Sequence, residues 1–262
     1  MITSSQNTKI KWVRSIQANS RLRKSEEVFV VEGVRLVEEA LAGGWEARLL
    51  LYAADLSPRG RQVLEGFAAG GVPLEEVTPQ VMRQSSDTDT PQGLLAVLAQ
   101  RSLPLPESLD FVFIPDAVRD PGNLGTMLRT ASAAGVQAVL LPPGSVDAFS
   151  PKVLRAGMGA HFRLPVLSLS WKQIESALEP LTVYLAAAGG GDPYWESDFC
   201  PPLALIIGGE AEGAGPQAQR LAEKCVCIPM PGGGESLNAA AAGAVLMYDV
   251  VRQRGQNGRQ VK

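Results

Sequence analysis

The stretch 110-DFVFIPDAVRDPGNLGTMLRTASAAGVQAVLLPP-143 decides the fold reading. Residues 110–116 form an apolar run of strand length, followed by a turn at Asp120–Pro121. GNLGTMLRTASAAG (122–135) places apolar residues at helical spacing and stops on Gly135. AVLLPP (138–143) is again strand-like. A strand, a helix and a strand in that order make a βαβ unit, whose strands run parallel.

The same alternation extends in both directions. Towards the C-terminus it predicts a helix in SPKVLRAGMG capped by Ser150 with Pro151 following, a strand in RLPVLSL and a helix in WKQIESALE. Strands in VYLAAA and LALIIGG, a short helix in PQAQRLAEK and a strand in CVCIPM come next. A long last helix is predicted in SLNAAAAGAVLMYDVVRQR, opened by Glu235 or Ser236. Towards the N-terminus, FVVEG, ARLLLYA, VPLEEVT and GLLAVLAQ read as strands. Between them lie GVRLVEEALAGG, RGRQVLEGFAAGG and a helix capped by Thr78 with Pro79 at its first position. RSLPLPESLD has two prolines and no apolar period. Residues 101–109 are therefore read as a linker between a domain at 1–100 and one at 110–262. The fold class is α/β in two domains, with a parallel sheet covered on both faces.

Composition bounds the function. Of 262 residues, 45% are hydrophobic and 19% charged, enough to bury a core and too apolar for a disordered chain. No apolar run reaches the roughly 20 residues of a membrane helix. MITSSQNTKIKWVRS lacks the apolar centre of a secretory signal. Cys200, Cys225 and Cys227 are too few for a disulfide scaffold, which points to a reducing, cytoplasmic setting. Cys225 and Cys227 share a strand face and are expected as a buried thiol pair. With one histidine, His161, the chain holds too few ligands for a metal site. His161 sits between a helix and a strand, away from the motifs below, and is expected to be structural.

The net charge of −3 conceals an asymmetry. Residues 1–24 carry Lys9, Lys11, Arg14, Arg21, Arg23 and Lys24 and no acidic side chain. A basic arm on an acidic body can meet a phosphate backbone locally. Ile10, Val13 and Ile16, with Trp12 beside them, have helical spacing, so the arm is expected to pack.

Three segments carry possible chemistry. In 120-DPGNLGTMLRTASAAG-135, Asn123 stands at the helix start and Arg129 six residues later, about 120° short of two full turns. The plain alternative is an N-cap asparagine and a surface arginine. In 203-LALIIGGEAEGAG-215 a buried strand runs into Gly208, Gly209, Glu210 and Gly213, where glycines free backbone groups for a ligand. A plain turn with solvated glutamates is the alternative. Neither a G-x-G-x-x-G fingerprint nor a P-loop is present, which disfavours a dinucleotide oxidoreductase. In 228-IPMPGGGESLNAAAAGAVLMYDV-250, Asn238 is unusual near the start of a helix and calls for a reason such as a polar ligand. The alanine-rich face beyond it suits tight packing or a dimer seam.

Together the three segments resemble the SpoU (TrmH-like) RNA 2′-O-ribose methyltransferases of the SPOUT class. The motifs are N-x-G-x-x-x-R (Asn123, Gly125, Arg129), the glycine–glutamate loop (Gly208, Glu210, Gly213) and I-P-M…S-L-N (Ile228, Pro229, Met230, Ser236, Leu237, Asn238). VVEGVRLVEEAL (30–41), TPQGLLAV (90–97) and ITSSQNTKIKWVRSI resemble the family's L30e/L7Ae-like substrate-binding domain. Two positions depart from the pattern: Gly209 where asparagine is frequent, and Ala239–Ala240 where V-S is frequent.

The resemblance implies a SPOUT domain with a C-terminal trefoil knot and S-adenosylmethionine as cofactor. The cofactor would be held at Ala186, Ala187, Gly189, Gly208, Gly209, Ile228, Met230 and Leu237. It implies methyl transfer to a ribose 2′-hydroxyl, with Arg129, Asn123, Glu210, Ser236 and Asn238 as the catalytic group. Arginine almost never releases its proton. Arg129 is therefore expected to orient the hydroxyl and steady developing charge, held by Asn123 and Glu210. RNA follows as substrate, ribosomal RNA ahead of transfer RNA, with Lys9, Lys11, Arg14, Arg21, Arg23, Lys24 and Arg129 as contacts. A homodimer through the second domain is implied, without metal or membrane. The competing reading is a non-catalytic RNA-binding protein with a degenerate second domain, which the retained Asn123, Arg129, Glu210 and Asn238 argue against.

Overall fold

The computed structural model describes residues 1–210 and 213–256. The chain divides into two compact units. One is Met1–Arg101 with Phe149–Phe162; the other is Ser102–Ala148 with the residues from Arg163 onward.

The first unit contains α1 (Thr8–Ala18), α2 (Ser20–Glu26), β1 (Val28–Glu32), α3 (Val34–Ala42), β2 (Ala47–Ala53), α4 (Pro58–Ala69), β3 (Leu74–Val77), α5 (Pro79–Ser85) and β4 (Leu94–Ala99). Helix starts are locally encoded. The side chains of Asn7, Asn19, Ser57 and Thr78 each accept an N–H from the first turn, and proline opens α4 and α5. The arm packs as expected, with Ile10, Val13 and Ile16 fully buried beside Val30, Leu51 and Val97. Trp12 lies against this cluster, and its Nε1 donates to Glu26 Oε2 at 2.6 Å.

Two expectations fail in this unit. The sheet is mixed, in the order β1-β4-β2-β3, with β4 antiparallel to both neighbours and only β2 and β3 parallel. Alternation of strand and helix does not set strand direction, because antiparallel strands need no helical crossover but tolerate one. Nor is Arg23 an RNA contact. It is 4% exposed, and its Nη1 donates to the carbonyls of Ile16 and Gln17 at 2.6 and 2.8 Å. A cation consumed inside the fold cannot meet phosphate. Lys9 is exposed but paired with Glu75, while Lys11, Arg14, Arg21 and Lys24 are exposed.

The remaining elements are β5 (Phe111–Asp116), α6 (Pro121–Ala133), β6 (Ala138–Leu141), α7 (Pro151–Gly157), β7 (Val166–Ser168), α8 (Trp171–Ala177), β8 (Thr182–Ala187), β9 (Asp192–Pro193), β10 (Leu203–Gly208), α9 (Pro216–Leu221), β11 (Lys224–Cys227) and α10 (Ala239–Gln256). Residues 101–109 lie outside these elements. The second unit's sheet runs β7-β6-β5-β10-β8-β11-β9, every neighbouring pair parallel. β5 is buried along its whole length, as continuous apolar strands covered on both faces must be. In α10, Gly243 packs beside Met127 of α6 and Ile207 of β10, so this part of the small-residue face serves packing within the chain.

Phe149–Phe162, with α7, belongs to the first unit although the reading by order placed it in the second. Aromatic burial decides this. Phe29 lies 5.0 Å from Phe149, 5.6 Å from Trp45 and 6.5 Å from Phe162, centroid to centroid. His161 is 2% exposed against Phe149. The cysteine pair is not buried: Cys225 is exposed and Cys227 half-buried, because the buried residue of β11 is Val226 between them.

Candidate active site

Parallel sheets present their loops, and hence their ligands, at the carboxyl ends of the strands where the order reverses. Here β5 leads to β6 and β7 on one side, β8 lies on the other side, and β10 is inserted between them. The turns leaving β5 and β10, with the turn entering α10, hold the three segments singled out above.

α6 starts at Pro121, and Asp120 is its cap: Asp120 Oδ1 accepts the N–H of Asn123 at 2.8 Å. Asn123 is thus the third helical residue rather than the cap, and its side chain is available. Its Nδ2 donates to Glu210 Oε1. Asn238 Nδ2 donates to Asn123 Oδ1 at 3.0 Å and to Glu210 Oε1 at 3.4 Å. Asn238 Oδ1 accepts from the N–H groups of Ala240 and Ala241 at 3.0 and 3.2 Å. The last helix therefore begins at Ala239 and not at Ser236, and the position that looked odd inside a helix is its cap. Both ends of one amide are used: the oxygen fixes the helix and the nitrogen fixes the site. Glu210 Oε1 gathers two donors, while Oε2 accepts no hydrogen bond among the described residues and can take one from a ligand.

Beside this trio lies a cavity of about 490 Å³, within the range of small-molecule sites. Ala186 and Ala187, at the end of β8, form one wall with Ala188. Gly208, Gly209 and Glu210 form another, and Ile228, Met230, Ser236, Leu237 and Asn238 a third. Gly189 does not line it, and a Cβ there would meet nothing within 4 Å. Gly213, which the glycine–glutamate motif names, also lines the cavity, as do Leu185, Ile207, Ala214, Gln219, Ala239 and Ala242, which no motif names. Ala239 and Ala242 are three apart on α10, a spacing that could have flagged them.

The residues suit S-adenosylmethionine. A Cβ at Gly208 would lie 2.3 Å from Ala214 N, so the backbone passes where only glycine fits. Apolar Ile228 and Leu237 can flank a ring, with backbone groups at its edge and Glu210, Gln219 and Ser236 as polar lining. Leu237 is 38% exposed, an apolar side chain left at the cavity rim.

Arg129 is not joined to the trio, contrary to the expected contact with Asn123 and Glu210. It is exposed, does not line the cavity and has no hydrogen bond or ion pair among the described residues. The helical offset from Asn123 turns it away from those groups. Among the described residues no cluster of histidine, cysteine or carboxylate could hold a metal ion, and no helix is long and apolar enough to cross a membrane.

Residues 110–248 match the model of the SpoU rRNA Methylase family, and residues 7–96 that of the MRM3-like substrate binding domain. The chain is 34% identical to the 23S rRNA (guanosine(2553)-2′-O)-methyltransferase RlmP of Bacillus subtilis, over 94% of this chain and 97% of that protein. It is 28% identical to a 23S rRNA (uridine(2479)-2′-O)-methyltransferase of Streptomyces viridochromogenes, over 96% and 92% of the two chains. The AdoMet-bound rRNA methyltransferase from Sinorhizobium meliloti superposes with a TM-score of 0.87 at 30% identity, covering 96% of this chain and 97% of that one.

Proposed function

The chain belongs to the SpoU rRNA methylase family, and from that membership we propose that it transfers a methyl group from S-adenosylmethionine to a ribose 2′-hydroxyl of ribosomal RNA. The observation that carries this reading is the bonding of Asn123, Glu210 and Asn238, from three separate turns, beside a cavity suited to the cofactor. A degenerate domain would not be expected to keep a mutually hydrogen-bonded polar cluster with one carboxylate oxygen left for a ligand.

When bound, S-adenosylmethionine supplies a methyl group already activated on a sulfonium. The protein's tasks are then positioning and charge stabilisation. Backbone groups of the turns after β8 and β10 would hold the cofactor's adenine edge, with Ile228 and Leu237 as apolar walls for the ring. Asn123 and Asn238 lock Glu210, leaving Oε2 to accept from a ribose or ammonium donor. Ser236 adds a hydroxyl on the same side. Arg129, exposed and without a partner among the described residues, meets an RNA phosphate and steadies charge on the attacking oxygen. The guanidinium does not take the proton, which the 2′-hydroxyl loses to solvent water as it is methylated.

The first unit contributes RNA contacts through Lys11, Arg14, Arg21 and Lys24, supported by their exposure and by the substrate-binding family match. Lys9 contributes where its pairing with Glu75 yields to phosphate. A homodimer through the second unit, a knotted C-terminal crossover and a cytoplasmic location complete the reading. The exposed Tyr248 on α10 supports the first, at 50% exposure. The insertion of β10 between β5 and β8 supports the second. The rRNA named for the Bacillus subtilis relative supports the third.

The test is incubation of the purified chain with methyl-labelled S-adenosylmethionine and unmodified 23S rRNA, followed by mapping of 2′-O-methyl nucleotides. A single 2′-O-methyl position is expected. Label on a base, or none with any rRNA or tRNA, would overturn the proposal.

A further inference from the structure

β5 ends on Asp116, a carboxylate only 3% exposed at the end of an apolar strand. It has no ion-pair partner among the described residues. Its Oδ2 accepts the backbone N–H of Gly215 at 2.7 Å. Burial raises its pKa above the ordinary aspartate value, and the Gly215 hydrogen bond pulls it part of the way back. A buried carboxylate with one backbone donor is a poor source of stability. Its use lies in the turn that it faces.

β5 and β10 are paired in register, with Gly208 opposite Asp116. One residue on, a Cβ at Gly209 would lie 2.3 Å from the carbonyl oxygen of Ala117, itself held at φ +52°. Gly213 N–H donates to Gly209 O at 3.0 Å. The chain leaving β10 is thus gripped at Gly209 by Ala117 and at Gly215 by Asp116. Glu210 stands between the two grips, and Gly213 and Ala214 wall the cavity. The departure at Gly209 has a physical reason here: a side chain would collide with Ala117.

We propose that Asp116 is a positioning residue for methyl transfer, acting through Gly215 to fix the turn that presents Glu210 to Asn123 and Asn238. This rests on reading the adjoining cavity as the S-adenosylmethionine site.

The test compares the full-length wild type with Asp116→Ala, Asp116→Leu and Asp116→Asn. The readouts are hydrogen exchange at the Gly215 amide and calorimetric binding of S-adenosylmethionine. Loss of the acceptor in the alanine and leucine proteins should speed Gly215 exchange about tenfold or more and weaken cofactor binding about tenfold. Asparagine keeps an acceptor oxygen and should restore both to within about threefold. Leucine fills the buried volume, so it decides the case if alanine leaves a cavity that unfolds the chain. Gly215 exchange and cofactor affinity unchanged in the leucine protein would overturn the proposal. Wild-type protein that binds no S-adenosylmethionine would overturn the reading of the cavity instead, and Gly215 exchange would still decide the role of Asp116.

Discussion

Asn238 and Asn123, 115 residues apart, are joined amide to amide: Nδ2 of the first donates to Oδ1 of the second at 3.0 Å. The same Asn238 caps α10 through its own oxygen. The start of the last helix and the polar floor of the site are therefore one structural event.

This dual role can be separated by substitution. Asn238→Asp keeps the capping oxygen but replaces the donor with a second carboxylate near Glu210. Stability should stay within about 0.5 kcal/mol, while methyl transfer falls about tenfold or more. Asn238→Ala should lose about 1 kcal/mol of stability as well as activity. Thermal unfolding and single-turnover transfer measure the two effects; an aspartate variant with full activity would show that the amide donor is unnecessary.

Arg129 is exposed and partnerless among the described residues, so Arg129→Ala should change stability by no more than about 0.5 kcal/mol. Transfer should fall by about 10²–10³. Arg129→Lys should rescue little, because an ammonium lacks the planar fork that spans phosphate and hydroxyl. Full activity in the alanine protein would refute its assignment.

Two groups of basic residues in the arm should behave oppositely. Arg23→Ala strips the carbonyls of Ile16 and Gln17 of a buried donor and should cost about 2 kcal/mol or more in denaturant unfolding. Lys11→Ala and Arg14→Ala should leave stability unchanged and weaken rRNA binding. Each should also make the salt dependence of that binding shallower, because one fewer phosphate is neutralised. An Arg23→Ala protein as stable as wild type would place its charge outside the fold.

Burial raises the Asp116 pKa above the ordinary aspartate value of 3.8. The native state then binds more protons than the unfolded chain between 3.8 and the native value, so stability falls as pH rises through that window. Asp116→Asn carries no such cost. Its Tm relative to wild type should be least favourable below the window, grow across it and level off above. A difference that shrinks with rising pH would contradict the sign.

Much of this molecule is legible in its sequence alone. Ser or Thr before Pro marks the starts of α4, α5 and α7, and β5, β10 and α6 fall where apolar spacing places them. The three motifs named Asn123, Glu210 and Asn238, which meet. They do not show that Arg129 stands apart, that Gly189 stays out of the cavity lining, or that Asp116 bonds to the same turn.

What the sequence by itself determined were features that a residue settles with near neighbours along the chain: helix against strand, the turns, the apolar faces and the small-residue loops. The tertiary structure alone decided strand direction in the first sheet, the transfer of Phe149–Phe162 to the first unit, the burial of Arg23 and the carboxylate behind the Glu210 turn. Each of these depends on which distant segment lies alongside, and strand order and close packing choose that partner. Periodicity records whether a side chain is hidden, but the identity of what hides it is a property of the whole fold.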